Sequence, residues 1–440
     1  MRIVVAVLLS LMAAAPAAAQ ESAAFGEVEF VPAEGTTLTF GERSYAGTLR
    51  MSVAPDGLVL VEDVGIDGYL SGIREVPLSW HEEALAAQVV AARTYLAWTL
   101  DRGRSADGVK YGYDICATTS CQVYAGVGVV RGPDGDRWAE AIERTTGEVL
   151  LYEGKPAQAM YHSTSGGRTE PIEDIFDSTP KPYLVGAESP GEQSPFVDWS
   201  YEIPAYVFVE ALREVGSGVG STLVDVEVVD QEIFGGLWAV RVESSTGVTE
   251  FTVNRIRSIM NSHGPRRYPG LLPGARPGGG RYPQAVLSYR YDITYTPPPG
   301  GQIARFGMFP ETDLPIEGTL LFEGKGWGHH VGMSQYGALA LAEAGEAYPD
   351  VLAHFYGGLT PTQSSDALPD VVTVGLAWGR DDIALSADGP VDVVTDGFAT
   401  ASGPGIWLAS FNDEGDIALV APDRILDERL SRLIAAFPLL

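Results

Sequence analysis

Cationic side chains are scarce in this 440-residue chain: 29 Lys and Arg stand against 58 Asp and Glu, a net charge of −29 with histidine neutral. A field of that sign repels nucleic acid, and it argues against anchoring on anionic lipid or anionic wall polymers. Cysteine is nearly absent; Cys116 and Cys121 are the only two, which excludes a disulfide-dense scaffold. Beyond the N-terminus no stretch approaches roughly eighteen unbroken apolar residues, so no later spanning helix is expected and the mature protein should be soluble. No repeat of fixed period appears.

The first residues set the expected compartment. Arg2 precedes an apolar run from Ile3 to Met12 broken only by Ser10, and Ala17-Ala18-Ala19 follows as a small-residue cleavage site. That order reads as a signal peptide over residues 1–19, cleaved before Gln20, and predicts export to the periplasm, wall or exterior. Ordinary apolar content with 52 Gly and 29 Pro fits a loop-rich α+β protein. The acidic excess is partly local, since residues 361–440 hold 4 Lys and Arg against 13 Asp and Glu.

Residues 36–64 alternate, as in Thr37-Leu38-Thr39-Phe40, and predict antiparallel strands. Between Trp80 and Leu100 the apolar period changes: Leu85, Val89, Ala92, Leu96 and Leu100 predict a helix with one buried face. Ser79 followed by Glu82 predicts a capping box with Ser79 as N-cap. A hairpin turning at Glu153-Gly154 is expected, with helices near residues 204–215, 333–344 and 349–355. Residues 264–280 read as an exposed loop. Short strands and a weak terminal helix are expected after residue 360, as a small acidic β-rich appendage.

Five segments can carry chemistry. GIREVPLSWHEEALAAQVVAARTYLAW places Glu75 on a turn and Arg93 within the following helix. YDICATTSCQVYAG holds the two cysteines, which an oxidising compartment would pair; zinc and free thiols remain alternatives. AMYHSTSGGRTE offers Tyr161, Ser163 and Ser165 beside a Gly-Gly turn, a set suited to carbohydrate. No Gly-x-Ser-x-Gly is present, which weakens a serine hydrolase reading. GKGWGHHVGMSQYGALALAEAG lacks the Gly-Lys-Ser/Thr of a phosphate loop. It supplies His329 and Gln335 as candidate substrate contacts, and the adjacent His329 and His330 should diverge in regular backbone. YPDVLAHFYGGLT ends a helix.

In this order, these segments resemble the SpoIID/LytB family of sporulation stage II protein D lytic transglycosylases and amidase enhancers. The likeness covers residues 37–360. It implies a SpoIID-like core over residues 20–360 with a glycan-binding cleft, and leaves residues 361–440 outside. The family's catalytic carboxylate matches Glu75, and its cleft arginine matches Arg93. Tyr161, Ser163 and Ser165 match its Tyr-x-Ser-x-Ser-Gly-Gly strand end. The implied activity is peptidoglycan lytic transglycosylase, with glycan strands as substrate and Arg93 facing them; the alternative is a non-catalytic binding protein that assists an N-acetylmuramoyl-L-alanine amidase. Two departures stand out. The family's Gly-His-Gly-Val-Gly is Gly328-His329-His330-Val331-Gly332 here. The histidine that joins two cysteines on zinc in some relatives is missing, so no cofactor is expected and the cysteines are expected as a disulfide. A link to sporulation is not implied.

Overall fold

The computed structural model describes residues 24–176, 178–229, 238–298, 318–364, 367–411 and 415–420. The expected signal peptide and terminal helix lie outside the described residues. The fold is α+β, as expected, and divides into two compact units: Met1–Arg74 with Arg104–Arg131 and Asp370–Leu440, and Glu75–Gly103 with Gly132–Pro369.

The first unit is interleaved from distant parts of the chain. Val371–Arg380 pairs antiparallel with Gly57–Gly65 and parallel with Ile115–Cys116. Val391–Thr395 pairs with Glu27–Pro32, Asp382–Ala387 with Leu38–Phe40, and Ile417–Val420 with Ala24–Phe25. The alternation explains why. Val28 and Phe30 are fully buried on one face of their strand, as are Val372 and Val374 on theirs, and Trp407 packs edge-on against Phe30 at 5.6 Å. Each such strand hides only one face alone and needs a partner to complete a core. The expected boundary at residue 360 is therefore corrected. The later residues are β-rich, but they complete the N-terminal sheets, while Pro361–Gln363 pairs with Glu148–Tyr152 in the other unit.

Two polar features sit inside this unit. Cys116 and Cys121 form a disulfide with Cα atoms 5.6 Å apart. Glu62 is fully buried; its carboxyl accepts from Gly47 N at 2.9 Å and from Tyr124 Oη at 2.7 Å. Burial pushes its pKa up to about 7, against the opposing effect of those hydrogen bonds.

The second unit is built around the helix Glu82–Asp101. The structure buries it almost all round, from Ala84 through Ala97, rather than on one face. Its run of alanines lets Glu148–Tyr152 and the helices Gly135–Arg144, Gln335–Glu343 and Tyr348–Phe355 pack close against it. The N-cap is His81, whose ring nitrogen accepts from Glu83 N at 3.3 Å, and not the expected Ser79. A second core in this unit joins the sheet of Asp198–Pro204, Thr319–Lys325 and Arg290–Thr296 to the helices Ala205–Glu214 and Val253–Ser262.

Candidate functional site

Glu75 lies on the turn before the central helix and is half-buried, with Val76 beside it turned into the core. The Tyr161 hydroxyl donates to Glu75 Oε1 at 3.4 Å, so the first and third chemistry-bearing segments meet. That contact is longer than a strong O–H···O bond, as catalytic hydrogen bonds often are before substrate arrives.

The fourth segment joins them through backbone. Tyr161–His162 pairs parallel with Met333–Ser334. Gly332 makes this approach possible: its φ is 72°, and a Cβ there would run into the Met160 carbonyl oxygen. Ser334 then caps the helix Gln335–Glu343 by accepting from Gly337 N. Tyr336 N donates to the Ser163 carbonyl at 3.1 Å, and the Tyr336 ring packs edge-on against Trp80 at 4.8 Å. Gln335 is nearly buried, with its amide 3.3 Å from Gln88 on the central helix. The structure thus gathers Glu75, Tyr161, Ser163 and the start of the Gln335 helix in one neighbourhood.

Three expected site residues are buried: Gln335, held on Gln88 rather than offered as a substrate contact, Arg93 and Ser165. Arg93 is 2% exposed. Its Nη1 donates to Thr145 O at 2.7 Å, Thr145 Oγ1 at 3.2 Å and Glu148 O at 3.3 Å, and Nη2 donates to Ile142 O at 3.4 Å. The expectation that Arg93 faces substrate is corrected: its guanidinium ties the end of one helix to the start of a strand. The sequence held a signal for this, because Arg93 falls four residues after Val89 and three before Leu96, on the apolar stripe. Ser165 is also fully buried. It donates from both N and Oγ to Glu192 Oε1, at 3.0 and 2.8 Å.

Glu192 is the residue that sequence reasoning missed. Besides Ser165, its carboxylate accepts from Gly166 N at 2.8 Å, Gly167 N at 3.4 Å, Ser189 Oγ at 2.9 Å and Ser334 Oγ. One anion in a Pro-Gly turn holds together the Gly-Gly turn and the cap of the helix at Gln335. Charge-assisted bonds of this kind are the stronger ones.

The adjacent histidines both pack against a third, His162. His330 sits at φ 63°, so the backbone is not regular, and the rings of His329 and His330 each lie 5.4 Å from that of His162. Among the described residues, both ring nitrogens of His330 and Nε2 of His162 are buried without a hydrogen-bond partner. Burial holds the His162 pKa down to about 3, and holds those of His329 and His330 well below the usual imidazole range. Burial thus favours the neutral rings, and a proton on His330 would be an unpaired buried charge. Among the described residues no three His, Cys, Asp or Glu side chains are arranged to hold a metal ion.

Residues 55–152 match the family model for SpoIID, the stage II sporulation protein. An amidase enhancer of Bacillus subtilis (strain 168) is 27% identical over 310 residues, covering 66% of this chain but 39% of that relative. The chain thus spans well under half the length of that protein. Stage II sporulation protein D of Bacillus amyloliquefaciens is 26% identical over 317 residues, 70% of this chain and 77% of the relative. The protein of the same name from Bacillus subtilis (strain 168) is 27% identical over 316 residues, 70% and 76% of the two chains.

Proposed function

This chain belongs to the SpoIID family, and from that premise we propose that it is an exported peptidoglycan lytic transglycosylase with Glu75 as its acid and base. The observation that carries the reading is the half-buried Glu75 carboxyl beside the Tyr161 hydroxyl, on a turn inside the stretch that matches the family. Export rests on the signal-like N-terminus. Among the described residues no helix is long and apolar enough to cross a membrane.

In this reading Glu75 protonates the glycosidic oxygen that leaves C1 of N-acetylmuramic acid, and the C1–O bond breaks. The 6-hydroxyl oxygen of the same sugar bonds to C1 and returns its proton to Glu75. The products are a 1,6-anhydro end and a free hydroxyl on the departing sugar, and no water is consumed. One carboxylate suffices where water-using glycosidases generally need two. A tyrosine hydroxyl can accept from a carboxylic acid and donate to a carboxylate. Tyr161 therefore remains a partner through both transfers. The paired rings of Trp80 and Tyr336 suit the apolar face of a sugar, and Ser163 offers a hydroxyl nearby.

A second reading has its own support in the relative named as an amidase enhancer. There the same surface holds glycan without cutting it, and the partner is an amidase. Mass spectrometry of purified peptidoglycan after incubation with the protein separates the two. Anhydro-muropeptides support the transglycosylase; new reducing ends replace it with a hydrolase; an unchanged sacculus that still retains the protein favours the binding role.

A further inference from the structure

The sheet of Asp198–Pro204, Thr319–Lys325 and Arg290–Thr296 floors a cavity of about 740 Å³, which neither Glu75 nor Tyr161 lines. That size is in the range of small-ligand sites. Strand register orders its charges. Asp198, Lys325 and Arg290 stand side by side across the three strands, and Ser200, Glu323 and Asp292 form the next row on the same face. Two residues along a strand separate the rows by roughly 7 Å. One row carries both cations of the floor; the other carries two carboxylates. Trp238 and Pro277 add apolar walls.

The cations already have partners. Lys325 Nζ is 3.0 Å from Asp198, and Arg290 Nη1 is 3.5 Å from Glu170. Among the described residues Glu323 and Asp292 join no ion pair, although they are direct cross-strand neighbours and both exposed. Like charges set opposite each other weaken a sheet, and an ammonium group between them would turn that repulsion into attraction. A bare metal cation suits the floor poorly, with Lys325 and Arg290 in the adjoining row. A phosphate or nucleic acid would meet the carboxylates and the acidic field of the whole chain.

We propose that this cavity binds the peptide portion of peptidoglycan: a short peptide carrying a free amine and a carboxylate about one row apart. The amine lies over Glu323 and Asp292, and the carboxylate turns toward Lys325 and Arg290. The Lys325–Asp198 pair is exposed and weak, so it yields readily to a ligand carboxylate. The inference rests on peptidoglycan being the substrate. It places peptide recognition on a sheet separate from the Glu75 neighbourhood.

Calorimetric titration of the full chain with a free stem peptide containing a diamino acid tests this, beside the same peptide with its amine acetylated. Losing a charge-assisted contact should weaken binding by roughly tenfold or more on acetylation. The Asp292→Asn, Glu323→Gln double variant should lose affinity for the free peptide to a similar degree, with an unchanged or raised melting temperature. Equal affinity for the two peptides, binding that is indifferent to the double variant, or no binding at millimolar peptide each overturns the proposal. Glu75→Gln should bind the peptide like the parent. A parent that binds peptide yet releases no anhydro product refutes the transglycosylase reading alone.

Discussion

The two units bury titratable groups in opposite ways. In the interleaved unit the buried group is an acid, Glu62, that is fully engaged with Gly47 and Tyr124 and held up to about 7. In the helix-centred unit Arg93 is likewise buried and hydrogen-bonded, but the buried imidazoles of His162 and His330 are held toward the neutral form, with three ring nitrogens lacking partners among the described residues. The first unit uses its polar interior to fasten strands that are far apart in sequence. The second carries every candidate for chemistry except the cysteine pair, and tolerates polar groups that are less completely satisfied.

The comparison breaks most visibly at the chain's C-terminal part. Ending the chain at Thr360 removes Val371–Arg380 and the strands after it, stripping partners from Glu27–Pro32 and Gly57–Gly65. The shortened protein should be insoluble, or should lose the cooperative unfolding transition of the interleaved unit. A soluble, cooperatively folded product ending at Thr360 would restore the idea of a separable appendage.

Arg93→Ala is the next largest effect. Losing the shared donor of buried hydrogen bonds costs about 1–3 kcal/mol or more, and the Arg93 guanidinium makes four of them. Denaturant titration should register that loss. If stability is unchanged and only glycan binding falls, Arg93 faces substrate after all.

Acidity should act on the units with opposite signs. His162 is depressed from 6.5 to about 3, so its contribution is present above pH 6.5 and is lost as pH falls toward 3. Glu62 is raised from 4.5 to about 7, so its contribution is present below pH 4.5 and is lost as pH rises through 7. Melting curves across this range should show Glu62→Gln flattening the slope between pH 4.5 and 7. His330→Gly should soften the decline below pH 6.5, because glycine accepts φ 63° and removes a buried ring. Parallel curves for parent and variants would contradict this account. The smallest effect belongs to the disulfide. The ring closed by Cys116 and Cys121 is short, so replacing both with serine should cost about 2 kcal/mol or less by thermal melt.

What the sequence made legible was local. The period from Leu85 to Leu100 marks the central helix, and the Glu153-Gly154 turn appears where expected, with φ of 50° and 79°. Alternation identifies strands but says nothing about partners, so the pairing of Phe30 with Val393 could not be foreseen. The same limit hid Glu192. A single carboxylate in a turn looks solvated until the fold brings Ser165, Ser189 and Ser334 to it. Glu75 and Tyr161 were legible through their motifs, and their meeting supplies the geometry the motifs lacked.

The most direct test of the central claim compares the parent with Glu75→Gln on purified glycan strands, with anhydro-muropeptide release measured by mass spectrometry. Glutamine keeps the size of the side chain and a contact for Tyr161 but cannot pass a proton as an acid. General acid–base catalysis is commonly worth about two to four powers of ten in rate. The account predicts release from the parent and a fall of that order in the variant, with melting temperature and glycan binding retained. Release from Glu75→Gln at the parental rate would contradict it.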